Sequence, residues 1–251
     1  MMIDTHCHLD REDYDNIEDV IHHMDGNYMI ASGATPKGNK NVMNLIENYH
    51  NIFGTIGLHP ECASNYTQAD LDYIEKNLSN DKIVGLGEIG LDYHYDDIDK
   101  DKQKALFIKQ IKLAQKYHKT IVIHSRDAAE DTYQILKKYL GDSKAILHCY
   151  GYSKEMAIRF KEFNIKFGIG GVLTFKNGRR LQETVDILDL EDLVLETDSP
   201  YLTPEPYRGH RNEPYNIYYV AKKIAEIKHT TLENVLKTTV STSISQFDLK
   251  L

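Results

Sequence analysis

The chain has few cysteines and no long hydrophobic segment, and both absences exclude classes of protein. Its 251 residues include 3 cysteines, an odd number that does not make a disulfide framework. We therefore expect a reducing, cytoplasmic environment. No apolar run reaches the roughly 20 residues that a membrane-spanning helix needs. The amino terminus enters a short apolar run directly, without the basic and apolar regions of a secretory signal, so we expect no membrane association.

An excess of basic residues is also missing. Lysine and arginine total 30 against 38 aspartates and glutamates, which gives a formal net charge of −8. Such a surface cannot coat a duplex by neutralising many phosphates. A nucleic acid would have to be bound locally, which favours a single-stranded or short substrate that enters a pocket by its end.

The rest of the composition is that of an ordinary globular protein. Hydrophobic residues make up 41% and charged residues 27% of the chain, enough for one sizeable core. We find no low-complexity segment and no linker. We therefore predict that residues 1–251 form a single domain, and nothing in the sequence indicates an obligate protein partner.

Short apolar runs alternate with segments of helical periodicity along the whole chain. Each run is too short for a buried helix and predicts a strand. Eight such units in about 250 residues match a (β/α)8 TIM barrel of the α/β class. The predicted strands are Ile3–His6, Tyr28–Ser32, Ile52–Leu58, Ile83–Glu88, Ile121–His124, Ala145–His148, Ile165–Ile169 and Leu193–Asp198.

An open doubly wound sheet is the alternative fold. It explains the alternation equally well, but it gives no reason for eight units or for polar residues at so many strand ends. Two helical segments at the carboxyl end, about Asn216 to Glu226 and Leu232 to Ser245, exceed one unit. We assign the first as the eighth barrel helix and the second as an additional helix that closes the barrel's outside. A distorted barrel is compatible with the same pattern.

The chemistry begins with two histidines at the end of the first predicted strand. Because alternate side chains of a strand share a face, His6 and His8 point one way and Cys7 the other. Two imidazoles on one face can bind one ion. Asp4 lies on the same alternation and is available to orient an imidazole from behind. An isolated pair of this kind would be polar loop residues, but its position favours a metal site.

Four further polar residues each close an apolar run: Glu88, His124, His148 and Asp198. One of them alone could be a satisfied buried polar residue, but together they predict a cluster at the carboxyl ends of the strands. Four histidines and two carboxylates are too many for one tetrahedral ion with an open position. They suit two divalent ions that share a carboxylate, and hence a hydrolase. Mg²⁺, Mn²⁺ and Zn²⁺ all remain open. Asp198 is the expected general base.

These residues lie within seven motifs through which the chain resembles the TatD family of metal-dependent deoxyribonucleases, a branch of the amidohydrolase superfamily. The resemblance covers nearly the whole chain. Its motifs are Ile3-Asp4-Thr5-His6-Cys7-His8, Gly57-Leu58-His59-Pro60, Gly87-Glu88-Ile89-Gly90-Leu91-Asp92-Tyr93, His124-Ser125-Arg126, His148-Cys149-Tyr150-Gly151, Glu196-Thr197-Asp198-Ser199-Pro200-Tyr201-Leu202 and Arg208-Gly209-His210-Arg211-Asn212-Glu213-Pro214.

The resemblance implies a role for each predicted ligand. Glu88 matches the family's bridging ligand, and Asp198 matches its metal-binding catalytic aspartate. The four histidines match the remaining metal ligands. Relatives in the superfamily such as phosphotriesterases and dihydroorotases typically carry a carboxylated lysine at the bridge, so a glutamate there favours phosphodiester cleavage. Cleavage of DNA from the 3′ end towards the 5′ end is also an implication of the resemblance.

Substrate contacts are expected in the loops that follow the strands. Barrel enzymes often bind phosphate in the loops after strands 7 and 8, and both loops carry cations and aromatic residues here. Arg126 and Arg208 are the predicted phosphate contacts. Tyr201 and His59 are predicted to face the substrate. A solvated basic surface explains Lys176, Arg179 and Arg180 equally well, and strand alternation predicts that the Cys7 and Cys149 thiols turn away from the site.

Two other functions stay open at this point. The same ions could hydrolyse an amide, a lactone or an aminoacyl ester, because a two-metal centre can act on a carbonyl carbon as well as on phosphorus. A barrel that binds nucleic acid or protein without catalysis is the second alternative. A complete ligand set argues against it, since a binding module has no need of an open two-metal site.

Overall fold

The computed structural model describes residues 1–95, 97 and 99–251. In this part of the chain, eight strands form one parallel sheet in sequential order, with helices between them. The predicted (β/α)8 barrel is confirmed. The strands are β1 (Ile3–Cys7), β2 (Tyr28–Ser32), β3 (Ile52–Ile56), β4 (Ile83–Asp92), β5 (Thr120–Arg126), β6 (Ala145–Leu147), β7 (Ile165–Ile169) and β8 (Leu193–Leu195).

The helices surround the sheet and most begin at a polar cap. Thr67 and Asp70, for example, form a complete capping box. No helix of the described ranges is both long and apolar enough to cross a membrane. The α-helices are α1 (Ile17–His22), α2 (Pro36–Asn48), α3 (Gln68–Asn77), α4 (Lys100–Lys116), α5 (Ala129–Tyr139), α6 (Lys154–Phe160), α7 (Arg179–Ile187), α8 (Ile217–Ile227) and α9 (Leu232–Phe247).

Helix α9 closes the amino-terminal end of the barrel. Phe247 and Leu249 are buried in a cluster with one apolar residue from each of seven strands, including Ile3, Phe53 and Val122. Gln246 donates a hydrogen bond to the Ala145 carbonyl at 2.9 Å. The expectation that this helix covers the barrel's outside was therefore wrong. Its last turn carries the large side chains that fill the open mouth between the strand starts.

The barrel is distorted at the seam between β1 and β8, where side chains replace part of the backbone ladder. Asp4 Oδ1 accepts hydrogen bonds from the backbone N–H groups of His6 at 3.2 Å and Thr197 at 3.0 Å. The Thr197 hydroxyl donates to Asp4 Oδ2 at 2.5 Å, and the Thr5 hydroxyl donates to the Leu195 carbonyl at 2.9 Å. These donors occupy the Asp4 carboxylate, so the prediction that Asp4 orients an imidazole was wrong.

Candidate metal centre

The six predicted ligands meet at the carboxyl-terminal end of the barrel, with Glu88 in the middle. Glu88 Oε2 lies 3.5 Å from His6 Nε2 and 3.8 Å from His8 Nε2. Glu88 Oε1 lies 2.6 Å from His124 Nδ1 and 3.4 Å from His148 Nε2. One oxygen of this carboxylate therefore faces His6 and His8, and the other faces His124 and His148, with His59 Nε2 also 3.8 Å from it.

Asp198 completes the group around His6 and His8. Its Oδ1 lies 3.5 Å from His8 Nε2 and 3.9 Å from His6 Nε2. The Asp198 side chain is 17% exposed against 5% for Glu88, so it is the more accessible carboxylate of the cluster. The Asp198 N–H donates to the His6 carbonyl at 3.0 Å, which ties this aspartate to β1.

The donor set fits metal ions. Both ring nitrogens of His6 are buried and have no hydrogen-bond partner among the residues described. The His6 and His148 rings stack with centroids 3.7 Å apart. A buried imidazole without a partner is costly, and an ion would give one of the two nitrogens a partner. Nitrogen and carboxylate oxygen together suit Zn²⁺ and Mn²⁺, and the carboxylates also suit Mg²⁺.

Without bound ions, neighbouring groups of opposite charge shift the pKa values of the carboxylates and of two imidazoles in the cluster. Burial would raise the pKa of Glu88, but His148, His124 and His6 hold it well below its usual value. Burial would likewise raise the pKa of Asp198, yet His8 and the neighbouring imidazoles lower it. Burial would lower the pKa of His148, but Glu196 and Glu88 outweigh it and raise that pKa to about 10. Asp92 and Glu88 raise the pKa of His124 to about 9 in the same way.

Glu196 is a functional residue that the sequence reasoning missed. Its Oε1 lies 3.2 Å from His148 Nδ1 and accepts a hydrogen bond from the Cys149 N–H. Gly168 on β7 makes room for it, because a Cβ at that position would lie 2.1 Å from Glu196 Oε2. The sequence shows only a carboxylate directly after the apolar run that ends at Leu195, and its contact with His148 is visible only in the folded structure.

Asp92 was missed for a different reason. Strand β4 extends beyond its predicted end at Glu88 and carries Asp92 to a position where Oδ2 lies 3.1 Å from His124 Nε2. Gly90 permits the close approach of β4 to β5: its φ is +148°, and a Cβ there would lie 1.9 Å from the His124 carbonyl oxygen. Carboxylates therefore face both nitrogens of His124.

Two cavities open on the active face and share His124, His148, Asp198 and Tyr201. The larger, about 490 Å³, includes the predicted phosphate ligand Arg126. The smaller, about 310 Å³, includes the predicted substrate contact His59.

The remaining predicted contacts differ in their positions relative to the two cavities. Tyr201 is 58% exposed between the two cavities. Arg208 borders neither cavity, and its guanidinium carbon lies 3.7 Å from the centroid of the Phe175 ring. Burial lowers the pKa of His59 to about 4, so this histidine is neutral at pH 7.

The two cysteines next to predicted ligands in the sequence, Cys7 and Cys149, have different surroundings. Cys7 is fully buried in the apolar layer outside the barrel, as strand alternation predicts. Cys149 borders the larger cavity, so the expectation that it turns away from the site was wrong. Strand β6 ends at Leu147 and Cys149 has a φ of +46°, and the alternation of strand side chains therefore does not continue to it.

Comparison with known proteins gives a consistent result. The sequence model of the family described as "TatD related DNase" matches residues 3–248. The metal-dependent hydrolase YabD of Bacillus subtilis is 40% identical over 244 residues, which cover 95% of this chain and 96% of that protein. The metal-dependent hydrolase YcfH of Escherichia coli is 30% identical, over 95% of this chain and 92% of its own. The crystal structure of YjjV, a TatD homolog from Escherichia coli, superposes with a TM-score of 0.92 at 26% identity and covers 99% of this chain and 98% of its own.

Proposed function

The chain belongs to the TatD family and is a metal-dependent hydrolase, and from that premise we propose that it is a deoxyribonuclease that removes nucleotides from the 3′ ends of single-stranded or short DNA. In this proposal residues 1–251 act as one hydrolase domain, and two divalent ions are the cofactors. DNA is the partner that the family's description favours.

The observation that carries the proposal is the position of Glu88 between two sets of ligands. His6, His8 and Asp198 would hold one ion with one oxygen of Glu88, and His124 and His148 would hold the second ion with the other oxygen. The chemistry that two ions held there would supply is polarisation of the phosphoryl group and stabilisation of negative charge on the attacking and leaving oxygens.

Asp198 is the proposed general base. Its pKa is lowered by the imidazoles around it, so it is ionised at neutral pH and can accept the proton of an attacking water. It also borders both cavities, where a scissile phosphate would lie. Glu88 is buried beneath it, which suits a bridging ligand better than a proton carrier.

Four residues are proposed to contact the substrate. Arg126 would bind a phosphate from the larger cavity, and Tyr201 offers a ring on which a base can stack. His59 is neutral and borders the smaller cavity. Arg208 would act outside both cavities, on a more distant phosphate of the strand.

The test is hydrolysis of a 5′-labelled single-stranded oligonucleotide. The protein is freed of metal and reconstituted with Mg²⁺, Mn²⁺ or Zn²⁺, beside an Asp198→Asn variant treated in the same way. We expect a ladder that shortens from the 3′ end and that is absent with the variant. If the two proteins are equally inert with every ion, the proposal is wrong, and amides, lactones and aminoacyl esters become the substrates to assay.

A further inference from the structure

The two halves of the active face carry opposite charge. The smaller cavity extends from the metal centre, including Glu88 of β4, to the loops after β1, β2 and β3. The larger is built from the loops after β5, β6, β7 and β8. The two cavities meet at the metal centre, because His124, His148 and Asp198 line both of them.

Carboxylates border the smaller cavity. Asp10, Asp13 and Glu61 line it. Asp10 Oδ1 accepts a hydrogen bond from Asn41 Nδ2 at 2.9 Å, and Glu61 Oε2 lies 3.9 Å from Nδ1 of the neutral His59. Among the residues that the structure describes, no lysine or arginine pairs with any of these three carboxylates. This half of the face therefore keeps a negative charge.

Arginines border the larger cavity. Arg126 and Arg180 line it beside Tyr152, and within the described ranges neither guanidinium has a carboxylate at ion-pairing distance. Asp127 also borders this cavity, and its Oδ2 lies 3.3 Å from Nδ1 of His94. Two unpaired guanidinium groups are well suited to bind phosphate oxygens.

A DNA strand laid across the centre would place a phosphate in each half. The phosphate on the arginine side is attracted. The phosphate on the other side meets three carboxylates at short range, where like charges repel appreciably even near a protein surface. The cavity there has a volume of only about 310 Å³, at the small end of ligand cavities, and that volume includes the space beside Glu88 and Asp198, so a continuing strand has little room. A single uncharged nucleoside meets neither obstacle.

We propose that the half lined by Asp10, Asp13 and Glu61 accepts a terminal nucleoside with a free 3′-hydroxyl and rejects an end that carries a phosphate or continues as a strand. Arg126 and Arg180 hold the phosphates of the retained strand. Water adds its oxygen to the scissile phosphorus, and the bond from phosphorus to the strand's 3′ oxygen breaks. The strand's new hydroxyl takes up a proton, and the phosphate leaves on the released nucleotide. This inference rests on the proposed nuclease function and explains why cleavage would be confined to ends.

The experiment compares two oligonucleotides of one sequence, one ending in a 3′-hydroxyl and the other in a 3′-phosphate, cleaved by the full chain with its active metal. The test variant is the triple substitution Asp10→Asn, Asp13→Asn and Glu61→Gln. The matched control is Asp81→Asn, Asp142→Asn and Glu233→Gln, which makes the same change of charge at exposed positions outside both cavities.

We expect wild type and control to cleave the hydroxyl end about tenfold faster than the phosphate end, which corresponds to about 1.4 kcal/mol of repulsion. We expect the test variant to bring the two rates within about threefold. The wild-type ratio should also fall as salt increases, because surface charges are screened, and this measurement needs no variant. The inference would be overturned, and the nuclease proposal kept, if wild type cleaved both oligonucleotides at the same rate. The same holds if neither the substitutions nor salt changed the ratio of the two rates. Failure to cleave either oligonucleotide with any metal would overturn the nuclease proposal as well.

Discussion

At the scale of single residues, carboxylates lie beside the imidazoles of two proposed metal ligands. Glu196 faces Nδ1 of His148, and Asp92 faces Nε2 of His124. Partners of this kind orient a ligating histidine and raise its basicity. The six proposed ligands could be selected from the sequence because they lie at or just past the ends of apolar runs, and the structure brings them together. Glu196 could not be selected in this way, because it reaches His148 across Gly168 on the strand between them, and only packing reveals that path.

Replacement of Glu196 by glutamine should weaken metal binding without loss of the fold. The amide keeps the volume of the side chain but removes the charge that holds His148, so we expect an affinity about 10- to 100-fold lower. Titration of the metal-free protein by calorimetry gives the value. Glu191→Gln, at an exposed position close to it in sequence, is the control and should bind as wild type does. Equal affinities for Glu196→Gln and wild type would contradict the positioning role.

Metal binding should release protons at pH 7. The carboxylates raise the pKa of His148 to about 10 and that of His124 to about 9. Both imidazoles are therefore protonated at neutral pH without metal, and only the neutral form can bind an ion. We expect at least one proton released per chain, and an apparent affinity that rises with pH until these groups are neutral. Calorimetry in buffers of different ionisation enthalpy measures the release, and a value of zero at pH 7 would refute the expectation.

At the scale of elements, helical periodicity predicted where α8 and α9 lie but not which surface α9 covers. Its apolar residues are compatible with packing on the outside of a barrel or across its end. The structure places Phe247 among the first inward-facing residues of the strands, where it is 3% exposed. The predicted end of β4 was also wrong. The strand continues through Gly90, and the reason is its close packing against β5, which the sequence does not show.

Replacement of Phe247 by alanine should destabilise the barrel by about 3–5 kcal/mol, because a large aromatic ring is removed from a closed cluster. Urea unfolding followed by circular dichroism gives the free energy of unfolding. The folded variant should still bind metal normally, since α9 closes the opposite end from the ligands. Leu251→Ala, at a position that is 48% exposed, is the control. If Phe247→Ala lowers the free energy of unfolding no more than the control does, the ring does not seal the barrel.

At the scale of the whole molecule, eight alternating units together with polar residues at the strand ends predicted the barrel in preference to an open doubly wound sheet. The closure between β1 and β8 was not predictable in detail, because residues almost two hundred positions apart, Asp4 and Thr197, form it through their side chains. The charge difference across the active face is a similar case. Asp13 and Arg180 are far apart in sequence, and only the folded barrel places them in two cavities that meet at one centre.

The central claim is that this centre holds two ions that share Glu88. Anomalous diffraction from crystals of the protein loaded with Mn²⁺ tests it most directly. We expect two anomalous peaks about 3.5–4 Å apart, one beside His6 and His8 and the other beside His124 and His148, with a Glu88 oxygen directed at each. A single peak in the cluster, or two peaks with Glu88 bound to only one of them, would contradict the account.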